Sequence, residues 1–301
     1  MRGRCVYQVV FPVLCSMLLG VALIPVLGPP SDGDVPQRAS QRPTSIPGIE
    51  RLERIDERFL VGSEPSADSI ASLQQEGVKV LLSVDGRRPQ LEQARELGIR
   101  VVHLPIGYDR VPPDQVRSLV RLLQEESGPF YIHCHQGKHR GPAVAAILWM
   151  LATGGSNEDA CRILDRCGTD PGYLGLWSSV RTFRASGTAV EDVSDAPLPE
   201  FVPAAGLSAV MLHIEEARDR IEDTARPDTK VNLAHECLLL EEFLLELGRP
   251  GLHPGATERS VPPQHLSFAL EAVRELKKGF TPARLERLDA SCTGCHAATR
   301  H

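Results

Sequence analysis

The stretch HCHQGKHRG, residues 133–141, decides the fold of the first half of the chain. It contains a cysteine and an arginine that are separated by five residues. The run FYIH before it, residues 130–133, predicts a buried β-strand. Pro142 after it predicts the start of a helix, because proline is favoured in a first helical turn. The stretch is therefore predicted to be a loop that joins a strand to a helix.

The residue types in this loop suit the binding of a phosphate group. A loop that leads into a helix N-terminus can direct its backbone N–H groups toward an anion. The same donors would stabilise Cys134 as a thiolate, the nucleophilic form of cysteine. Arg140 would bind two phosphate oxygens and stabilise the charge of the transition state. The alternative is a buried cysteine beside a surface arginine.

Strand and helix patterns alternate on both sides of the loop. Strands are predicted at 58–61, 78–83, 100–104 and 130–133, and helices at 66–76, 90–97, 114–125 and, in two or three segments, from Pro142 to about Phe183. Such alternation predicts a largely parallel sheet that is covered by helices on both faces. Residues 49–184 are therefore predicted to form an α/β domain with a central, mostly parallel sheet.

The loop and its setting resemble the HCx5R signature of the protein-tyrosine and dual-specificity phosphatase superfamily. The resemblance implies a phosphatase in which Cys134 forms a phosphocysteine and Arg140 binds the phosphate. It implies that Asp109, which follows a predicted strand, protonates the leaving oxygen. Asp114 is the competitor for this role, but its position favours a charge at a helix N-terminus. His133 resembles the histidine that orders the loop in this family.

One position departs from the family pattern. Where the family usually has serine or threonine after the arginine, this chain has Gly141. That hydroxyl helps the thiolate leave when the phosphoenzyme is hydrolysed. Its absence leaves two expectations open: slow turnover, or phosphate binding with little hydrolysis.

The other loop residues are expected to line the phosphate and to set the substrate class. These residues are His135, Gln136, Gly137, Lys138 and His139. Three of them carry basic side chains, which indicates a polyanionic phosphomonoester such as a phosphoinositide or a multiply phosphorylated molecule. A solvated charge cluster is the alternative. The resemblance to the phosphatase superfamily implies a phosphorylated protein as the other substrate class.

A second motif, Cys292-Thr293-Gly294-Cys295-His296, lies near the end of the sequence. CxxCH is the attachment pattern of haem c, in which two thiols on one helix face form thioethers and the histidine binds iron. A zinc half-site, a thiol–disulfide pair and a chance match are the alternatives. A zinc site would need further ligands, but the sequence has no second CxxC and no histidine-rich segment to supply them. A thioredoxin-like thiol–disulfide pair would be expected next to a βαβ pattern, which this part of the sequence does not have.

Four helical patterns precede and include this motif within residues 206–301 and predict an all-α four-helix bundle. A bundle with CxxCH on its last helix resembles the cytochrome c′ and c556 family, whose typical later arginine is matched by Arg300. The resemblance implies one covalently bound haem c held by Cys292, Cys295 and His296. Met211 on the first helix is a second iron ligand or a packing residue.

The remaining segments concern export and linkage. Residues 1–28 hold basic residues and then an apolar run, which predicts a signal peptide or a membrane anchor. Residues 29–48 and 185–205 are predicted linkers, because they are rich in Pro, Gly and Ser and have no apolar period. An exported protein, periplasmic or anchored facing the periplasm, agrees with haem c attachment outside the cytoplasm.

The composition limits the class of partner. The 301 residues are 42% hydrophobic and 24% charged, which excludes a wholly disordered chain. A net charge of −6 disfavours nucleic acid as a partner. Three functions remain: a phosphatase joined to a haem domain for redox or gas sensing, a cytochrome for electron transfer or gas binding whose upstream domain only binds phosphate, and a redox-signalling protein. Each leaves room for a redox partner or a small gas.

Overall fold

A computed structural model of the chain describes residues 45–185, 196–203, 207–249 and 262–299. The predicted signal or anchor segment, most of both predicted linkers and Arg300 lie outside these residues. None of the helices in the described ranges combines the length and the apolar character that a membrane span requires.

The α/β region, up to Arg181, is built on one five-stranded sheet. The strands are β1 (Glu53–Arg54), β2 (Phe59–Gly62), β3 (Val80–Ser83), β4 (Arg100–His103) and β5 (Phe130–His133). Their order is β1-β2-β5-β3-β4, and only β1 runs antiparallel to its neighbour. The prediction of a mostly parallel sheet is confirmed, and the short edge strand β1 was not predicted.

Six helices belong to this region and cover the sheet. They are α1 (Ala67–Gln75), α2 (Leu91–Glu96), α3 (Pro113–Glu125), α4 (Arg140–Thr153), α5 (Asn157–Arg166) and α6 (Leu174–Arg181). The Ser66 and Ser156 side chains cap α1 and α5 by accepting a hydrogen bond from the third amide beyond each of them. Helix α4 begins two residues before Pro142, because the loop already turns into the helix at Arg140.

Strand β5 lies in the middle of the sheet, between β2 and β3, and all four of its residues are buried. Its last residue, His133, is level with Gly62 and with Ser83. The carboxyl ends of three parallel strands therefore meet where the loop of residues 134–139 begins. In open α/β sheets, ligands bind at this edge.

The C-terminal region is helical. Its helices are α7 (Leu207–Asp223), α8 (Leu233–Leu247), α9 (Pro263–Lys277) and α10 (Pro282–Thr299). Each helix packs on the next one, and apolar residues from all four form a shared core. The Arg218 side chain on α7 donates two hydrogen bonds, of 2.9 and 2.8 Å, to the Asp289 carboxylate on α10.

Helix α8 contributes to two apolar cores. Leu238 and Leu239 are buried in the core of the α/β region, whereas Leu240, Leu244 and Leu247 are buried in the core of the C-terminal helices. The described residues accordingly cluster as one compact unit. The domain limits at 184 and 206 stay predictions.

Part of the predicted linker between the two regions packs against the sheet. The Pro199 carbonyl accepts a hydrogen bond from the His103 amide on β4. The Phe201 ring stacks on the His103 ring, with the two centroids 5.8 Å apart. Residues 196–203 therefore cover the outer edge of β4. The sequence had predicted only a linker here, because the segment has no apolar period.

Candidate active site and the cavity at the CxxCH motif

The loop of residues 134–139 is an open cradle at the N-terminus of α4. In the described part of the chain, the amide groups of residues 135–140 donate to no protein acceptor. Gly137 has a φ of +67°, and a Cβ there would lie 2.2 Å from the Gly62 carbonyl carbon, so only glycine fits. Cys134 is buried at the first position of the cradle. The arrangement can bind an anion through backbone N–H groups, as the sequence predicts.

Arg140 lies at the end of the cradle, and only 2% of it is exposed. One terminal nitrogen, Nη2, donates a 2.9 Å hydrogen bond to Oδ1 of Asp85. The other, Nη1, lies 2.8 Å from Oε1 of Glu246 and contacts the Ile106 carbonyl at 3.5 Å. The Tyr108 ring lies against the guanidinium carbon, 4.2 Å from the ring centroid. Nε of Arg140 has no partner among the described residues, so one donor remains for a ligand.

Asp85 is a functional candidate that the sequence reasoning missed. Its side chain is 1% exposed and accepts hydrogen bonds from both Arg140 and Arg249. Burial by itself would raise the pKa of Asp85, but these two guanidinium groups outweigh it and hold the pKa well below its ordinary value. Asp85 is therefore ionised at neutral pH and fixes Arg140 beside the cradle.

Two further residues of the site come from the end of α8 in the C-terminal region. Glu246 pairs with Arg140, and Arg249 pairs with Asp85 and, at 3.4 Å, with Oε2 of Glu64. Nothing in the sequence of the loop indicates these contacts, because the partners are far apart along the chain. Their only sequence signal is the pair of charges at the end of a helix that is otherwise rich in leucine.

A group of possible metal ligands lies at the same place. Ligand atoms of Glu64, Asp85 and His135 lie within 4.8 Å of one another. Arg249 pairs with both carboxylates, so a cation is already present among them. We therefore interpret the group as an ion-pair network.

His133 and His139, near the two ends of the HCx5R segment, are buried and neutral at neutral pH. His133 stacks on the Tyr131 ring, and burial lowers the pKa of His133. Nδ1 of His139 accepts a 3.4 Å hydrogen bond from the Asp170 amide, and its ring contacts the Tyr173 ring. Burial, assisted by the Lys138 charge, lowers the pKa of His139 to about 3. His139 therefore adds no positive charge at neutral pH, contrary to the basic loop that the sequence suggested.

The predicted acid, Asp109, lies in the loop after β4. Its carboxylate is 57% exposed and pairs with Arg110 at 3.0 Å. The preceding residues of this loop, Ile106 and Tyr108, both contact Arg140. A Cβ on Gly175 would lie 1.5 Å from the Asp109 carbonyl, so the close approach of α6 to this loop requires glycine. Asp109 thus belongs to a loop that lines the site, and its role stays a prediction.

Gly141 lies directly behind the nucleophile. A Cβ at this position would be 3.6 Å from Sγ of Cys134 and 3.3 Å from the Cys134 amide nitrogen. A serine there would therefore have its side chain beside the sulfur, at the cost of a slightly tight backbone contact.

The CxxCH motif lines a second site, between the C-terminal helices. A cavity of about 380 Å³ is bounded by Cys292, Cys295 and His296 of α10 and by Met211 of α7. The i, i+3 spacing places both thiols on the cavity side of α10. Burial raises the pKa of both thiols, so they are protonated at neutral pH. The cavity brings together the four residues that the sequence singled out.

One further residue of this cavity escaped the sequence reasoning. His265 of α9 lines the cavity, and its Nδ1 would lie 3.7 Å from a Cβ on Gly294, in the middle of the motif. His213, by contrast, packs on the Phe243 ring with centroids 5.3 Å apart.

Comparison with known proteins points to one class for the α/β region. Residues 40–172 match the family described as "DSP-PTPase phosphatase fused to NAD+ Kinase". The dual specificity protein phosphatase TpbA of Pseudomonas aeruginosa (strain UCBPP-PA14) is 37% identical over 121 residues, which are 39% of this chain and 54% of that protein. The match thus spans about half the length of this relative. Residues 40–172 are accordingly similar to phosphatases of the dual-specificity type.

Two solved structures of the same relative also match. The crystal structure of P. aeruginosa TpbA is 26% identical, with a TM-score of 0.41, and the match covers 48% of this chain and 90% of that chain. A variant of TpbA in complex with pTyr is 25% identical, with a TM-score of 0.41, over 48% of this chain and 91% of that one.

Proposed function

We propose that the α/β region hydrolyses phosphate monoesters through a covalent phosphocysteine. The observation that carries this proposal is the open cradle itself, which places Cys134 and Arg140 at the two ends of a row of unused amide donors. The match to dual specificity phosphatases over residues 40–172 supports it.

The chemistry follows from the positions of these groups. The Cys134 thiolate attacks phosphorus, the S–P bond forms and the P–O bond to the leaving group breaks. The loop amides and Arg140 bind the three other phosphate oxygens, whose charge grows in the transition state. The leaving oxygen takes a proton from Asp109. Water then attacks the phosphocysteine, gives its proton to Asp109 and releases inorganic phosphate and the thiolate.

A phosphorylated protein is the substrate class that we favour. The relatives that match are named dual specificity protein phosphatases. A polyanionic phosphomonoester would need a strongly basic loop, but the buried His139 is neutral and Glu64 lies 3.5 Å from His135.

The test is hydrolysis of an aryl phosphate by the full chain and by Cys134→Ser. Turnover is expected to fall to background in Cys134→Ser, whereas inorganic phosphate should still bind to the loop amides and Arg140. Cys161→Ser is the matched control, because Cys161 is a half-buried cysteine of α5. Turnover in Cys134→Ser close to that of the control would contradict the assignment of the nucleophile.

We further propose that the four C-terminal helices form a cytochrome c′-like bundle that binds one haem c. The residues present fit this group: a cavity of about 380 Å³ lies within the range of small-molecule sites, and its wall holds both thiols and His296. Cys292 and Cys295 would form the thioethers, His296 would bind the iron, and Met211 is the proposed second ligand. Such a group supplies a redox-active iron that can also bind a small gas when one coordination position is open.

Haem attachment is tested by the absorbance of the protein after denaturation. The chain, produced with a haem c attachment system, is expected to keep its haem absorbance in denaturant, since thioethers survive unfolding. The double change Cys292→Ala and Cys295→Ala should abolish it, while Cys161→Ala should not. A purified wild-type chain without haem would overturn this second proposal and leave the phosphatase proposal intact.

The second iron ligand is tested by the spectrum of the reduced protein. Met211→Ala is expected to change a low-spin spectrum to a high-spin one and to speed carbon monoxide binding. His265→Ala is the comparison, because His265 lines the same cavity from α9. A high-spin wild type that Met211→Ala leaves unchanged would show that Met211 only packs in the cavity.

The place of action follows from the haem proposal. Attachment of haem c outside the cytoplasm and the apolar run in residues 1–28 together support an exported protein, either periplasmic or anchored facing the periplasm. A redox partner or a small gas would then be met in that compartment.

A further inference from the structure

The last turn of α8 reaches from the C-terminal helices into the candidate active site. Glu246 lies in this turn, and its carboxylate is 2.8 Å from Nη1 of Arg140. Arg249, just beyond the helix, binds the Asp85 carboxylate. A carboxylate of the protein thus pairs with the guanidinium group that, in the proposed function, binds the phosphate.

The two carboxylates on Arg140 are held differently. Asp85 makes a 2.9 Å hydrogen bond and is itself held by Arg249. Oε1 of Glu246 makes only an ion pair, since it is buried and has no hydrogen-bond partner among the described residues. The contact of Glu246 is therefore the one that an incoming phosphate oxygen can replace.

A phosphate group at Arg140 would lie beside the Glu246 charge. Three guanidinium groups, those of Arg140, Arg249 and Arg87, pair with three carboxylates, those of Asp85, Glu64 and Glu246, so these charges already balance. A phosphate dianion that entered while Glu246 stayed in place would share one guanidinium with that carboxylate, and like charges at such distances repel strongly. Cys134 and Arg140 are themselves only 3% and 2% exposed, whereas His135 and Gln136 of the same loop are exposed.

We propose that Glu246 is a built-in competitor of the phosphate group, so that the last turn of α8 inhibits the active site until it moves away. The proposal rests on the proposed phosphatase function. Its distinctive consequence is that removal of the Glu246 charge strengthens phosphate binding, whereas removal of a residue that merely supports the site would weaken it.

The first experiment measures binding of inorganic phosphate by calorimetry in the Cys134→Ser background, which excludes turnover. Glu246→Gln keeps the size of the side chain and removes its charge, and we expect phosphate to bind about tenfold more tightly or better. Glu241→Gln is the matched control: it removes one charge from the same helix, where Glu241 pairs with Arg274. An affinity in Glu246→Gln within twofold of the control would overturn the proposal.

The second experiment measures aryl phosphate turnover with Cys134 intact and separates the two proposals. Glu246→Gln and Glu246→Ala are expected to lower KM, with kcat equal to or above that of the wild type. If no variant turns over but Glu246→Gln binds phosphate more tightly, the phosphatase function fails and the inhibitory contact stands. If the wild type turns over and both Glu246 variants keep its KM and phosphate affinity, the function stands and the inhibitory contact is wrong.

Discussion

Replacement of Asp85 by asparagine should be among the most damaging single changes in the α/β region. Asn keeps the shape of the side chain but removes the charge that Arg140 and Arg249 share, and both guanidinium groups remain buried. Removal of one partner of a buried ion pair costs about 3–5 kcal/mol, because an uncompensated charge is left behind. Domains are stable by about 5–15 kcal/mol, so the variant should fold but should be clearly weakened.

The assay is urea unfolding of Asp85→Asn, Arg249→Gln and the double variant, which form a double-mutant cycle. The double variant should lose less free energy of unfolding than the sum of the single losses, since it removes one charge of each sign. A loss of less than about 1 kcal/mol in Asp85→Asn would refute the view that Asp85 compensates buried charge.

The pH dependence gives a second check on Asp85. Its pKa is lower in the folded protein than its ordinary value of 3.8, so its contribution to stability is fully present above that value. It is lost as pH falls below 3.8 toward the folded pKa. The loss caused by Asp85→Asn should therefore be equal at pH 6 and pH 8.

Three further outcomes are expected. Asp109→Asn should slow hydrolysis of alkyl phosphates by about 10²–10⁴-fold and of aryl phosphates with good leaving groups much less, since only the former need a proton; an equal loss in steady-state assays of both would move the role elsewhere. Gly141→Ser, whose Cβ would lie 3.6 Å from Sγ of Cys134, should raise steady-state turnover and reduce any burst if hydrolysis of the phosphoenzyme is rate-limiting. Unchanged burst kinetics would mean that the glycine has only a structural role. The pKa of His139 is about 3 in the folded protein, below its ordinary value of 6.5, so the stability that its neutral ring contributes is fully present above pH 6.5 and is lost as pH falls toward 3. Lowering the pH from 7.5 to 5 should therefore reduce the free energy of unfolding of the wild type by about 2 kcal/mol more than that of His139→Gln in urea unfolding. Equal losses would contradict the burial of a neutral ring.

Local sequence patterns were sufficient for the parts of the site that lie close together along the chain. In residues 130–153, the apolar run forms the strand, Gly137 with its positive φ allows the turn of the cradle, and Pro142 lies in the first turn of the helix. The two thiols and the histidine of CxxCH share a cavity because their spacing fixes one face of α10. In both cases the backbone geometry of one segment determines which side chains meet.

The residues that surround Arg140 could not be found in the same way. Asp85 lies just beyond the end of β3, and β3 pairs with β5 so that Ser83 is level with His133. The sheet order thus brings Asp85 to the edge where the cradle starts. With that strand order known, Asp85 could have been predicted as a residue of the site. Glu246 and Arg249 depend instead on the packing of α8 against the α/β region, a tertiary contact that the two charges at the end of a leucine-rich helix do not predict by themselves.

That packing also determines which part of α8 can move to free Arg140. The first turns of α8 are held firmly, because Leu238 and Leu239 are buried in the α/β core and Tyr173 donates a hydrogen bond to Glu242. Moving the whole helix would expose these leucines at about 1.5–3 kcal/mol each, in addition to the leucines nearer its end. Unwinding the last turn would disturb only Leu244 and Leu247 and the polar contacts of Glu246 and Arg249, so it is the less costly movement. Amide hydrogen exchange should therefore be faster at residues 244–249 than at 235–242 and should rise further in the first segment when phosphate binds. Uniform exchange along α8, unchanged by phosphate, would mean that the active site opens by some other movement.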